Sequence, residues 1–436
     1  MSVYNLISLA GVFALVGFAW LCSENRRVVN RRVIVWGIAL QMLFALFIFV
    51  LPAGGRFFLA VNDVVVKVLE SATAGTKFVF GRLAIPPGEV GEGGETSLGY
   101  FLAFQGLPTV IFFASLVSAL YYLKIMPLII RAFSRLFARS MRISGAEALS
   151  ASSNIFVGVE SSLVVKPHLE KMTRSELATI LSAGMGTIAS TVLALYVFTL
   201  QGQLPTIAGH LVSASLLSAP AAVVMSKLIV PETGRPVTLG VDVKPSYERE
   251  DNLVMAVING ANSGLRLLGG IVTLLIAFLG LMALIDLLLG GVGGLINTWT
   301  GWDFPWSLQG LLGLLFYPFA LLLGIPPADA MAVARILGER TIATEVTAYQ
   351  HLGGLLEQGG LVHPRSAIIS AYALCGFAHV ASLAIFVGGI GALAPSRIRD
   401  LSRLGFRALL AATLACLMTG AVAGVFFSSG SILFGG

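Results

Sequence analysis

The chain has 436 residues, 56% of them hydrophobic and only 11% charged, with 28 Lys and Arg against 22 Asp and Glu. A soluble protein carries roughly 25% charged residues, so this composition excludes an ordinary water-soluble enzyme, a disordered chain and a nucleic-acid binder. The small basic excess reads as membrane topology rather than as a phosphate-binding face, and membrane lipid is the surrounding partner.

Apolar stretches of about 20 residues, the length that crosses a bilayer, occupy 3–21, 33–51, 98–123, 178–200, 211–230, 265–289, 367–393 and 408–427. The first has no basic segment before it, which argues against a cleaved signal peptide. Arg26, Arg27, Arg31 and Arg32 follow it, and the positive-inside rule puts them in the cytoplasm and the N-terminus outside. Three later clusters agree: Lys124, Arg131, Arg135, Arg139 and Arg142; Lys227, Arg235, Lys244 and Arg249; Arg397, Arg399, Arg403 and Arg407. The Gly-rich acidic loop with Pro86, Pro87, Glu89, Glu92 and Glu95 suits the outer face. Residues 131–142 interleave arginines with Phe133, Leu136 and Phe137, the pattern of an interfacial amphipathic helix. Cys22, Cys375 and Cys416 lie in apolar stretches with no CxxC and no Cys/His cluster, so neither a disulfide framework nor a zinc site is indicated.

Two stretches are too short and too polar for a pair of full spans: 144–171 and 328–356. Each reads as a helix, a tip and a return helix, a re-entrant hairpin whose irregular backbone must be shielded from lipid. With both re-entering, every basic cluster stays inside. After each hairpin comes a span interrupted by small and polar residues, GMGTIASTVLALY (184–196) and LCGFAHVASLAIFVGG (374–389). The expected fold is therefore an all-α integral membrane protein of about eight transmembrane helices. Two re-entrant hairpins and two broken helices form an inverted repeat. It divides into scaffold helices (1–125), a first hairpin and broken-helix unit (126–232), further scaffold (233–325) and a second such unit (326–436).

Glu160 and Glu345 fall at the two tips. A carboxylate at membrane depth costs about 2.5 to 3.5 kcal/mol even on the lenient insertion scale, which makes each a functional-site hypothesis. Arg340 is a local pairing candidate for Glu345. Oxygens from Ser150 to Asn154, Thr187 and Ser190, with carbonyls freed at the break, suit a small cation. His379 in the second broken helix could bond a hydroxylated substrate or carry a proton, and Phe377 could stack on a flat ring. Ser161 and Ser162 have no base at a useful spacing, so no enzyme signature is present. With no P-loop, uphill transport must draw on an ion gradient rather than on a cofactor.

Long blocks of the chain resemble the concentrative nucleoside transporters, in order: PTVIFFASLVSALYYL (108–123), SASSNIFVGVESSLVVKPHL (150–169), SASLLSAPAAVVMSKLIVPE (213–232), NGANSGLRL (259–267) and YALCGFAHVASLAIFVGGIGALAPSRIRD (372–400). The resemblance implies a homotrimer in a bacterial inner membrane, each protomer importing a nucleoside-like molecule with sodium or a proton. It places Glu160, Val159, Val192 and Leu265 on the base side. Glu345, His379 and Ser382 fall on the sugar side, Phe377 near the base, and Asn154, Val157, Thr187 and Ile188 at the sodium site. The chain departs from the family pattern at both tips. The usual G-Q-T-E-A-P is Gly158-Val159-Glu160-Ser161-Ser162 here, the usual N-E-F is Thr344-Glu345-Val346, and the usual F-A-N-F-S-S is Phe377-Ala378-His379-Val380-Ala381-Ser382. The same fold carrying a modified nucleoside, a nucleobase or another small polar metabolite is the alternative.

Overall fold

The computed structural model describes residues 2–91, 93–247, 250–301, 305–428, 431 and 433. Glu92, Arg249 and the side chain of Val159 lie outside the described part. Helices α1 (Val3–Leu21) and α2 (Arg31–Phe49) match the first two expected spans, and Asn30 caps α2 by accepting from the Val33 amide. A helix that the apolar pattern does not predict follows, α3 (Pro52–Phe80). Proline at its first position suits a helix start, while Asp63, Lys67, Glu70 and Lys77 along its length hide it from an apolar window. The third expected span is helical only over α4 (Thr109–Tyr122). The amphipathic arginine stretch becomes α5 (Ile125–Met141), which turns 78° from α4. Lys124 and Arg142 bracket it in left-handed conformations.

The first hairpin descends as α6 (Gly145–Ser153) from a Ser144/Glu147 capping box, which satisfies free amides at its start. Its return limb, Val159–Lys171, is the expected return helix in 3-10 form. Val164, Val165 and Pro167 give the reason: β-branched residues crowd an α turn, and proline lacks the N–H that such a turn needs. A second capping box, Thr173/Glu176, starts α7 (Arg174–Gly186), the chain breaks over Thr187 to Ala189, and α8 (Ser190–Leu200) and α9 (Ile207–Ile229) complete the unit.

Next comes α10 (Leu253–Thr300), 48 residues long. At 1.5 Å per residue it reaches about 72 Å, more than twice a bilayer's hydrocarbon core, so the expected span 265–289 is only its middle. Another unpredicted helix, α11 (Leu308–Leu322), leads to the second hairpin, α12 (Pro327–Ile342) and α13 (Glu345–Glu357). The second broken helix is α14 (Pro364–Ala373) with α15 (Val380–Leu393), and α16 (Ile398–Phe426) closes the chain. The order of hairpin, broken helix and long helix thus occurs twice. By length and composition alone, six helices among the described residues can cross a membrane, counting α7 with α8 as one, and the bent α4–α5 pair is a seventh.

Burial separates core from periphery. The apolar windows of α7–α8, α9 and α16 are 83–89% buried, and that of α10 only 11%. Helices α7, α9 and α16 pack on one another and carry the hairpins and breaks in a protein-lined interior. The two breaks meet backbone to backbone at Gly376. Its φ is +150°, and an added Cβ would lie 2.6 Å from Cys416 Sγ and 2.9 Å from the carbonyl carbon of Gly186. Only glycine allows that crossing.

Candidate functional site

Each hairpin and each break presents the N-terminal end of a half-helix to the interior. Glu345 is the first residue of α13, and Thr344 caps it through the Thr347 amide at 3.5 Å. A carboxylate there faces the positive end of the helix dipole, which offsets part of its desolvation. His379 caps α15: its Nδ1 accepts from the Ser382 amide at 3.2 Å. With Nδ1 an acceptor, the ring proton must sit on Nε2. That nitrogen lies 2.9 Å from Glu345 Oε2. A carboxylate oxygen has more than one lone pair, so Oε2 keeps acceptor capacity for a further donor beside the ring N–H.

The other carboxylate oxygen, Oε1, accepts from the Tyr196 hydroxyl at 2.7 Å. The Tyr196 ring stacks on Tyr349 at 4.6 Å between centroids, and Tyr349 donates its hydroxyl to the Ala371 carbonyl at 2.9 Å. Glu345, His379 and Tyr196 are 3%, 3% and 0% exposed, so these contacts work in a low dielectric and bind the second hairpin to both broken helices. Arg340, the cation nearest to Glu345 in sequence, does not pair with it. It is fully buried, and its Nη1 donates to the Ala373 carbonyl at 2.7 Å.

In the first half, Asn154 ends α6 and is fully buried. Its Nδ2 donates to the Ser150 carbonyl at 2.9 Å, and its Oδ1 accepts from Ser161 across the tip at 2.7 Å. Thr187 stands at the end of α7 with extended backbone and donates its hydroxyl to Ala183 O at 2.9 Å, leaving its lone pairs unspent. The Ser190 amide and hydroxyl both bond the Phe156 carbonyl and tie the break to the tip. Ser215 of α9 bonds the Ile155 carbonyl at 2.8 Å and reaches that of Ile188 at 3.4 Å. Asn154, Val157, Thr187 and Ile188 thus stand at one junction of tip, break and α9. They bring neutral oxygens, from an amide, a hydroxyl and peptide carbonyls, the hard donors that an alkali cation takes.

Glu160 faces a cavity of about 780 Å3, lined also by Val157, Thr191, Tyr121, Tyr247, Asn259 and Ser263. Val192 is buried just behind Thr191. Leu265 of α10 is 56% exposed, and it is Asn259, Gly260 and Ser263 of that helix which reach the cavity wall. Phe377 packs edge-on against His379 at 6.5 Å between centroids. Ser382 spends its hydroxyl on the Phe377 and His379 carbonyls, so in this conformation it holds the break. Sequence reasoning missed Tyr196 and Tyr349 as partners of the second tip. A signal existed: Tyr196 lies four residues after Val192, on the same helix face in an otherwise apolar run.

Comparison with known proteins agrees with this geometry. Family models match three segments: residues 10–83 with "Na+ dependent nucleoside transporter N-terminus", residues 103–203 with "Nucleoside recognition", and residues 210–424 with "Na+ dependent nucleoside transporter C-terminus". An uncharacterized transporter of Haemophilus influenzae is 36% identical over 98% of this chain and 99% of its own. The nucleoside permease NupC of Helicobacter pylori is 35% identical, over 97% of this chain and 98% of its own. Human solute carrier family 28 member 3 is 36% identical over 98% of this chain and 60% of its own length. Among solved structures, CNTnw in an inward-facing substrate-bound state superposes with a TM-score of 0.85 at 32% identity, over 97% of this chain and 98% of that one. An outward-facing CNTnw variant gives a TM-score of 0.86 at 32% identity, with 97% of each chain covered.

Proposed function

The chain belongs to the Na+-dependent, concentrative nucleoside transporter family, and from that premise we propose that it imports nucleosides with a coupling cation by alternating access. The observation that carries the reading is the Glu345, Tyr196 and His379 array. It is a buried carboxylate held by two donors at converging helix ends, with Oε2 still able to accept from a sugar hydroxyl. Glu345, His379 and Ser382 would meet the sugar, with Ser382 released from its backbone bonds and Phe377 turned to the base. Glu160, Val159 and Val192 would meet the base, and Leu265 would reach it only after a movement of α10, since Asn259, Gly260 and Ser263 of that helix line the cavity here. The cargo is a nucleoside or a nucleoside-like molecule, carried across a bacterial inner membrane. The uncovered apolar face of α10 is the surface through which three copies would associate.

Sodium is the coupling ion that the first junction supports best. Asn154, Val157, Thr187 and Ile188 supply neutral oxygens, the hard donors that suit a monovalent cation. The Ser161 hydroxyl on Asn154 Oδ1 would turn aside to admit the ion. A second reading, coupling to a proton shared by Glu345 and His379, rests on their 2.9 Å contact. Uptake of labelled uridine, cytidine and adenosine into proteoliposomes, under an imposed sodium gradient or an imposed proton gradient, tests both. Sodium-stimulated, saturable uptake supports the first reading, and proton-driven uptake without sodium the second. No nucleoside uptake under either gradient refutes the function.

A further inference from the structure

From Glu160 at the first tip the cavity runs between α4, the 3-10 limb, the segment around Tyr247 and the start of α10, and this outer part carries chemistry that the substrate site does not use. Tyr121 of α4 and Tyr247 stand there with ring centroids 6.4 Å apart and planes at 64°, an edge-to-face pair that leaves ring face uncovered. Tyr247 is 38% exposed. Its segment is nonetheless anchored. The Ser246 amide donates to the Val164 carbonyl of the first hairpin at 3.0 Å, and Asp242 is paired with Arg131 and Arg135 of α5 at 3.0 and 3.1 Å. Across the cavity Asn259 donates Nδ2 to Glu250 Oε2 at 2.9 Å, which orients its carboxamide with Oδ1 free to accept.

We propose that this vestibule is a second binding site for the transported nucleoside, with the base stacked on Tyr247 beside Tyr121 and one base N–H donated to Asn259 Oδ1. An aromatic face with one oriented polar group is the combination that holds a heterocycle with little regard to its identity, because every base has a π face. The cavity's volume of about 780 Å3 lies in the range of small-molecule sites. Its inner end is Glu160, so a molecule leaving the base-side carboxylate for the cytoplasm passes between these groups. The site gives the departing nucleoside a stop inside the protein, and it operates only when the cavity is open to that face.

The inference rests on the nucleoside reading, and its test separates the two. Half-saturation for uridine is measured from each face, in right-side-out and inside-out vesicles, for the parent protein, Tyr247→Phe and Tyr247→Leu. Loss of a base–aromatic stack corresponds to about a tenfold change in affinity. Tyr247→Leu is therefore expected to raise the cytoplasmic-face value about tenfold and leave the external value within about twofold, while Tyr247→Phe behaves as the parent. A merely structural tyrosine would tolerate leucine or disturb both faces. An unchanged cytoplasmic value, equal changes on both faces, or phenylalanine as damaging as leucine overturns the proposal in an active protein. A parent that transports no nucleoside from either face overturns the functional reading, and this proposal with it.

Discussion

Tyr196→Phe removes a single atom, and the structure says what that atom does. The hydroxyl donates to Glu345 Oε1 at 2.7 Å in a place where the tyrosine is 0% exposed, so water cannot replace it. A hydrogen bond to a charged group contributes about 1.5–3 kcal/mol. At 1.4 kcal/mol per decade, its loss corresponds to roughly 10- to 100-fold, divided between protein stability and the affinity for the substrate that, on the proposed reading, bonds the same carboxylate. In a Glu345→Gln background the phenol bonds only a neutral amide, worth about 0.5–1.5 kcal/mol. Removing it there should cost only about 2- to 12-fold. The two substitutions should therefore couple by about 1 kcal/mol or more in a double-mutant cycle. Nucleoside half-saturation in proteoliposomes and thermal denaturation in detergent, measured on all four proteins, give the cycle. Parent-like values for Tyr196→Phe in both assays, or effects that simply multiply, would refute the claim that Tyr196 holds Glu345.

His379 acts in the structure both as a helix cap and as a neighbour of Glu345, and two substitutions divide those roles. Asparagine caps a helix as well as any residue, so His379→Asn should leave thermal stability near the parent's, whereas His379→Ala should lose about 0.5–2 kcal/mol in denaturation; equal stability of the two would contradict the cap. In the segment that leads to α10, burial alone would raise the Asp242 carboxyl. Hydrogen bonds and charge from Arg135 and Arg131 outweigh it and hold the group below the ordinary carboxylate value. A depressed carboxylate stabilises its contact above its unfolded value and loses that contribution as pH falls through the folded one. Cleavage of residues 239–247 by an acid-tolerant protease should then stay flat from pH 8 to 5 and rise only below about pH 4. The Arg131→Ala/Arg135→Ala double variant should be cleaved faster throughout; a rise between pH 8 and 5 in the parent would show that another group anchors the segment.

Much of the architecture was legible because lipid punishes exposed backbone and charge. Apolar length located α1, α2, α9 and α16, and glycine and polar interruptions located both breaks. What escaped did so for local reasons. The charges on α3 hide a helix from an apolar window, and α11 is only 15 residues long. Helix α10 passes through Gly290, Gly291, Gly293 and Gly294 without stopping and runs past the expected span at both sides, from an Asn252 cap to a left-handed Gly301. The return limb of the first hairpin is 3-10 because Val164, Val165 and Pro167 disfavour an α turn.

The sequence by itself determined which residues could not rest in lipid: the arginine clusters, the two tip carboxylates and the polar residues at the breaks. Scarcity makes those few residues conspicuous, and the re-entrant, twice-repeated plan follows from giving each of them shelter. Partnership was decided only by the tertiary structure. Arg340 stands five residues from Glu345 in the chain yet bonds Ala373, while Tyr196, from the other half of the molecule, holds the carboxylate. Sequence distance ranks candidates along one helix, but the contact at Gly376 sets the two broken helices against each other. That crossing brings Glu345, His379 and Tyr196 within hydrogen-bonding reach.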